Sequence, residues 1–355
     1  MYFCFSATDL RLFLVCLFFA SSLFAQNPNV QNSNTTENLR GISVVDEQIA
    51  WASGTHGTYL RTTDGGNSWQ AAQLPGAESL DFRDVEAFSA NVAYLLSAGP
   101  GEQSRIYKTV DAGKNWTLQF TNKNPKGFFD CMAFWDRDRG IAVGDPVPDN
   151  SGKLRFELIA TEDGGENWKA IPSGTLPPAI EGEGAFAASG TCIAVHGNSN
   201  VWFATGGKVA RVFHSTDAGK SWTVADTPIV HGPDSAGIFS IAFRDAIHGV
   251  IAGGDYKHPE QDGPNLAFTD DGGATWKLSP ISPQAYFSAI AFASPPAGGK
   301  AVLVVGSARA AYADDIAKTS WQKTWNLNLN ALSVSSTGNA IAVGPKGLIV
   351  SLPAK

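Results

Sequence analysis

Residues 62–69 read TTDGGNSW, and the pattern returns at 109–116 (TVDAGKNW), 161–168 (TEDGGENW), 215–222 (STDAGKSW) and 269–276 (TDDGGATW). Each copy is Ser/Thr-x-Asp-x-Gly-x-x-Trp. A sixth stretch, 314–321 (DDIAKTSW), keeps the tryptophan and loses the glycine, which predicts a remodelled turn. The six tryptophans stand at 69, 116, 168, 222, 276 and 321, with spacings of 47, 52, 54, 54 and 45 residues. A repeat of that length suits one four-stranded blade of a propeller.

The physics of the pattern is local. The aspartate accepts backbone N–H groups within the turn, the glycine supplies a positive φ, and the indole packs back between strands. Burying an indole contributes about 1.5–3 kcal/mol or more per repeat. Asp64, Asp111, Asp163, Asp217 and Asp271, with Trp69, Trp116, Trp168, Trp222 and Trp276, therefore read as staples of the fold and not as catalytic acids.

Working outward from the first box, short apolar runs at 39–45, 49–53 and 58–62, then a strand from Trp69, make four strands in the unit. Matching inner strands begin near Phe82, Phe128, Gly184, Ile238, Phe287 and Ala331, so the chain holds seven units. The last has only three strands before the chain ends. The polar stretch 30–38 is expected to supply the fourth, which removes an exposed sheet edge. The prediction is an all-β, seven-bladed propeller of four-stranded antiparallel blades over residues 26–355, closed by an N-terminal strand in the last blade. Thirty-seven glycines, ten tryptophans and only 17% charged residues agree with short strands and tight turns.

Residues 12–20 (LFLVCLFFA) form an apolar run too short to span a bilayer comfortably, preceded by Arg11. They read as the core of a signal peptide, residues 1–25, with cleavage after Ala25 and a secreted or periplasmic product. The net charge of −7 survives cleavage, because Asp9 and Arg11 cancel, and it argues against nucleic acid as a partner. Two of the four cysteines, Cys4 and Cys16, leave with that segment. Cys131 and Cys192 follow apolar runs at similar places in successive repeats. They read as two small buried hydrophobes, with one bridge between neighbouring blades as the alternative.

The starts of inner strands line the central channel of a propeller. Arg40, Arg83, Asp130 and Glu183 occupy such positions, and Asp145 and Asp255 follow second strands in loops at the same end. These six residues form the expected binding cluster at the channel mouth. The loops 144–153 (GDPVPDNSGK) and 255–263 (DYKHPEQDG) enlarge one rim, where partner recognition normally resides. The second gathers Asp255, His258, Glu260 and Asp262 without a calcium-loop spacing, so no metal is expected. Phosphate-cradling and dinucleotide motifs are missing, and no cofactor is expected.

The repeated boxes resemble those of the bacterial neuraminidase repeat superfamily over nearly the whole chain after residue 25. With LRGI at 39–42 and FRDV at 82–85, the sequence is most similar to the photosystem II stability/assembly factor-like proteins. That resemblance implies an exported seven-bladed propeller that binds a protein, an envelope or membrane protein among the candidates, as a monomer and without catalysis. It leaves a carbohydrate-active enzyme as the alternative, since related propellers carry sialidases and xyloglucanases. A hydrolase would use Asp130 and Glu183 as its paired carboxylates, with a glycan as ligand. A sialidase would further need an arginine cluster beside a tyrosine such as Tyr286; Arg211 and Arg244 are expected to face elsewhere.

Overall fold

The computed structural model describes residues 27–280, 285–293, 299–318 and 321–353. The expected signal segment, residues 1–25, lies outside them. Seven antiparallel sheets follow one another around a ring. Blade 1 runs Leu39–Val44, Ala50–Gly54, Thr58–Thr62 and Gln70–Gln73; blade 2 has Phe82–Ala87 as its inner strand and Thr117–Thr121 as its outer one. The inner strands of blades 3 to 7 are Phe129–Phe134, Ile193–His196, Ala236–Phe243, Ala289–Phe292 and Ala331–Val334. Blade 7 ends with Ile349–Leu352, against which the N-terminal strand Asn29–Gln31 lies antiparallel. The closing strand thus sits at the very start of the expected polar stretch.

Every box is built alike. The hydroxyl of Thr62 donates to Asp64 (2.8 Å) and accepts the Gly66 N–H (2.9 Å), while Asp64 accepts the Ser68 N–H (2.9 Å). Asp163 and Asp217 repeat this with Asn167 and Ser221, whose side chains, joined by their backbone N–H groups, hold the two carboxyls down at about 2. Two consecutive residues take positive φ, as in Gly65 (71°) and Gly66 (85°). In two boxes the first of them is alanine, Ala112 (69°) and Ala218 (58°), so each of those turns stores about 1 kcal/mol of backbone strain. In the sixth copy Asp315 instead accepts the Ala317 N–H within its own loop.

The core is divided among the seams between blades. Trp116 packs edge-on against Trp51 and Tyr59 of blade 1, with centroids 6.1 and 5.1 Å apart. Trp168 joins Tyr94 and Leu96 of blade 2, Trp222 the seam with blade 3, and Trp276 packs with Trp202 of blade 4. Each indole therefore fills the gap to the preceding blade. The preceding blade answers by donating to a box carbonyl: Tyr59 to Gly113 (2.7 Å), Tyr94 to Gly164 (2.7 Å) and Trp202 to Gly272 (2.8 Å). At the closing seam Trp69 packs with Ile341, Val343 and Ile349 of blade 7, and its Nε1–H donates to Gln31 of the N-terminal strand (2.9 Å).

Two expectations are corrected. Cys131 and Cys192 are joined in a disulfide, with Cα atoms 6.1 Å apart, and do not sit as separate thiols. The inner strand of blade 4 begins at Ile193, not at Gly184; only Glu183–Gly184 pairs, with Gly206–Gly207. The run of small residues after Gly184 is used to cross the ring instead of to line it. The bridge spans 61 residues and ties the inner strand of blade 3 to the entry of blade 4. Replacing both cysteines by alanine should lower the unfolding free energy by roughly 3–5 kcal/mol in denaturant titrations, while reductant should produce no comparable loss in that variant.

Candidate binding site at the channel mouth

Four inner strands carry a register shift, at the second residue in three of them (Arg40, Arg83 and Asp130) and at the fourth, Phe239, in blade 5. A bulge leaves that residue unpaired and re-aims its side chain, here towards the ring axis. There Arg83, Asp130 and Phe239 meet a segment that the sequence reading placed in a strand. Residues 185–191 cross the channel ahead of blade 4 and are bound to four other blades. Arg83 Nη1 donates to the Ala187 carbonyl (2.9 Å), and the Ala187 N–H is hydrogen-bonded to Asp130. The Ala185 N–H donates to Asp145 (3.0 Å), Ser189 to the Ser288 carbonyl (2.8 Å), and Thr191 meets Ser240 (2.7 Å). Gly190 is required here, since it has a φ of 76° and a Cβ at this position would strike Asp84.

Aromatic rings cover this plug. Phe186 stacks on Phe239 at 3.9 Å, and Phe239 meets Tyr286 and Tyr256 edge-on at 4.8 and 6.2 Å. Tyr286 is nearly buried, and burial raises its hydroxyl above the ordinary range. Arg40 and Arg83 are its charged neighbours. Arg83 is matched by Asp81 at 2.7 Å. Arg40 is not: its Nε is buried and has no hydrogen-bond partner among the described residues. Burial, and then the repulsion of Arg83, lower its affinity for its own proton.

The carboxylates separate into different states. Asp130 is 1% exposed with Oδ2 unpartnered among the described residues, and burial, then the neighbouring Asp145, pushes it well above the carboxylate range. Burial raises Asp145 to about 6. Asp84, which accepts the Met132 N–H at 2.7 Å, is also raised by burial, and Glu86 beside it is raised to about 7. Glu183 lines one hollow with Asp145, but its carboxylate is already engaged. Arg211 grips both of its oxygens, at 2.9 Å through Nε and at closer range through Nη2, and the Thr205 hydroxyl and Ile180 N–H complete its shell. Asp255 belongs to its own loop, where burial opposes but His258 (2.8 Å), Ser235 and the Lys257 N–H hold it below the usual range.

The structure therefore joins Arg40 to Arg83 and Asp130 to Asp145, places Glu183 next to Asp145 but held by Arg211, and engages Asp255 in its own loop. Sequence reading missed the plug, the aromatic cover and the buried Asp84 and Glu86. The only sequence signal for the plug was the small-residue run 184–190 (GAFAASG), which also suits a strand. Among the described residues no group of three or more His, Cys, Asp or Glu side chains is placed to share a metal ion.

The raised Asp130 has a testable sign. Its ionisation weakens the fold as pH rises through its folded value, and this penalty is absent below the ordinary value of 3.8. Asp130→Asn keeps an acceptor for Ala187 and removes the charge. It should melt above the unsubstituted protein at about pH 8, with the gap closing towards about pH 4; a pH-independent gap in scanning calorimetry would contradict the assignment.

Comparison with known proteins gives a consistent picture. The family described as photosynthesis system II assembly factor YCF48 matches residues 22–171. The photosystem II assembly lipoprotein Ycf48 of Synechococcus sp. (strain CC9902) is 26% identical over 257 residues, 70% of this chain and 64% of its own length. The chloroplastic photosystem II stability/assembly factor HCF136 of Arabidopsis thaliana is 26% identical over 127 residues, 35% of this chain and 28% of its own. The chain thus spans less than two thirds of either relative. A solved structure titled YCF48 bound to D1 peptide superposes with a TM-score of 0.65 at 17% identity, covering 93% of this chain and 96% of that one, a likeness of fold. With seven blades, recurrent boxes and these matches together, the chain is a seven-bladed β-propeller that is similar to the photosystem II assembly factor-like proteins.

Proposed function

We propose that this chain is an exported, non-enzymatic scaffold that holds an extended, carboxylate-bearing segment of an envelope or membrane protein across the channel mouth. Arg40 carries the reading. A guanidinium with a buried, unpartnered nitrogen is costly in the free protein, and an incoming carboxylate would relieve it with a charge-assisted hydrogen bond. Arg83 stands beside it, and the rings of Tyr286, Phe239 and Phe186 offer an apolar floor next to both arginines. The plug crosses the channel behind this floor, which favours contact along the mouth. One fold relative was solved with a peptide bound.

Export has separate support in the apolar segment within residues 1–25 and in the Cys131–Cys192 bridge, a bond that persists in oxidising compartments. The hydrolase alternative loses ground at Glu183, whose oxygens are occupied by Arg211, Thr205 and Ile180.

Charge reversal tests the reading. Arg40→Glu and Arg83→Glu, checked for unchanged melting, should recover at least about tenfold less of the partner that the unsubstituted protein retains from the native envelope fraction. Equal recovery by both variants would remove the arginines from the site. Turnover of a glycan by the unsubstituted protein, lost in Asp130→Ala, would favour the hydrolase instead.

A further inference from the structure

The plug at residues 185–191 belongs to no sheet, since it lies between the short strand Glu183–Gly184 and the inner strand of blade 4, Ile193–His196. It is held across the channel largely by side chains of other blades. A segment without ladder bonds of its own sits at the low end of local stability. Gly182 (80°) and Gly190 (76°) place left-handed residues near its two ends, where the chain turns at little steric cost.

Three carboxyls lie directly against this segment. Asp145 accepts the Ala185 N–H at 3.0 Å and Asp130 the Ala187 N–H, while Asp84 lies so close to Gly190 that a Cβ there would strike its Oδ1. Their charged surroundings do not balance them. Asp130 faces Asp145 and Arg83, Asp84 faces Glu86, and Asp145 shares a hollow with Lys126, Asp234 and the Arg211-bound Glu183. Arg83 is already divided between Asp81 (2.7 Å) and the Ala187 carbonyl (2.9 Å), and Arg40 faces Arg83, Asp81 and Tyr286 instead.

A carboxylate removed from water needs several donors or a committed cation, and a single N–H replaces little of its hydration. The closed plug therefore favours the neutral acids. Burial raises Asp145 to about 6 and carries Asp130 and Asp84 well above the ordinary range. We propose that the plug is a proton-operated latch, closed across the channel while Asp84, Asp130 and Asp145 keep their protons and released towards solvent when they lose them. Release admits water to the acids. It also takes Phe186 off Phe239 and the Ala187 carbonyl away from Arg83, so that one event unmakes both the plug and the floor of the mouth. The latch is a property of the free protein and needs no partner.

Opening returns these acids towards their ordinary value of 3.8, so closure is at full strength below about pH 4 and weakens as pH rises through about 6. Hydrogen exchange of the full chain, followed on peptides covering residues 183–192 and corrected for the intrinsic rate at each pH, reads the latch. Opening should increase at least about tenfold between about pH 5 and about pH 8, while the blade 7 strand Ala340–Val343 keeps its protection. Asp130→Asn combined with Asp145→Asn, which keeps an acceptor for each plug N–H, should abolish most of that increase. Asp145→Asn alone, at the less buried acid, should reduce it and carries the comparison if the double variant does not fold. Equal opening at both pH values would sink the proposal. So would an increase that these variants retain in full, or one shared by Ala340–Val343, which reports general unfolding.

Discussion

Everything in this molecule rests on the seams between blades, because a blade is a small twisted sheet that cannot bury either face alone. At six of the seven seams a box tryptophan from one blade is packed against the blade before it. The turn behind five of these indoles is held rigid by a hydroxyl and a carboxylate bonded to each other and to the chain. The box thus works as a spacer with a fixed reach, and its aspartate is engaged in setting that reach. Ala112 and Ala218 show how strongly the geometry is imposed, since both hold a backbone conformation that alanine disfavours.

The last seam, between blades 6 and 7, has no box indole among the described residues and relies on packing around Leu303, Leu329 and Val350, joined by Tyr312 and Trp325. Closure of the ring is instead secured at the next seam. Gln31 accepts from Trp69, Asn34 donates to the Trp69 carbonyl, and Asn330 donates to Asn38 and Leu39. Residues from both ends of the described chain are thereby held in one sheet, with the three-residue strand Asn29–Gln31 as its outer edge.

The ring's centre obeys a different logic. Inner strands of a propeller must satisfy the N–H groups that face the axis, and several do so across blades. Ser333 accepts the Val44 N–H, Ser43 the Ala87 N–H, and Ser240 the Ile290 N–H. Asp84 performs the same task with a carboxylate, and the plug brings further N–H groups to Asp130 and Asp145. Buried acids that serve backbone donors need not remain charged, which is why these carboxyls sit above their ordinary range. The arginines do not neutralise them all; the buried Nε of Arg40 has no hydrogen-bond partner among the described residues.

What the sequence determined by itself is the architecture: blade number, box geometry and closure by the N-terminal strand follow from local patterns, because a turn's hydrogen bonds and an indole's burial involve residues close in the chain. The identity of the mouth residues was partly legible for the same reason, as Arg40, Arg83 and Asp130 take the bulged second place of their strands. Which of them share a site was decided by tertiary structure. Glu183 finds Arg211, Cys131 finds Cys192, and residues 185–191 cross the ring because blades 2, 3, 5 and 6 all present partners to them. Those choices depend on groups brought together across the axis of the disk, and no spacing along one strand encodes that distance.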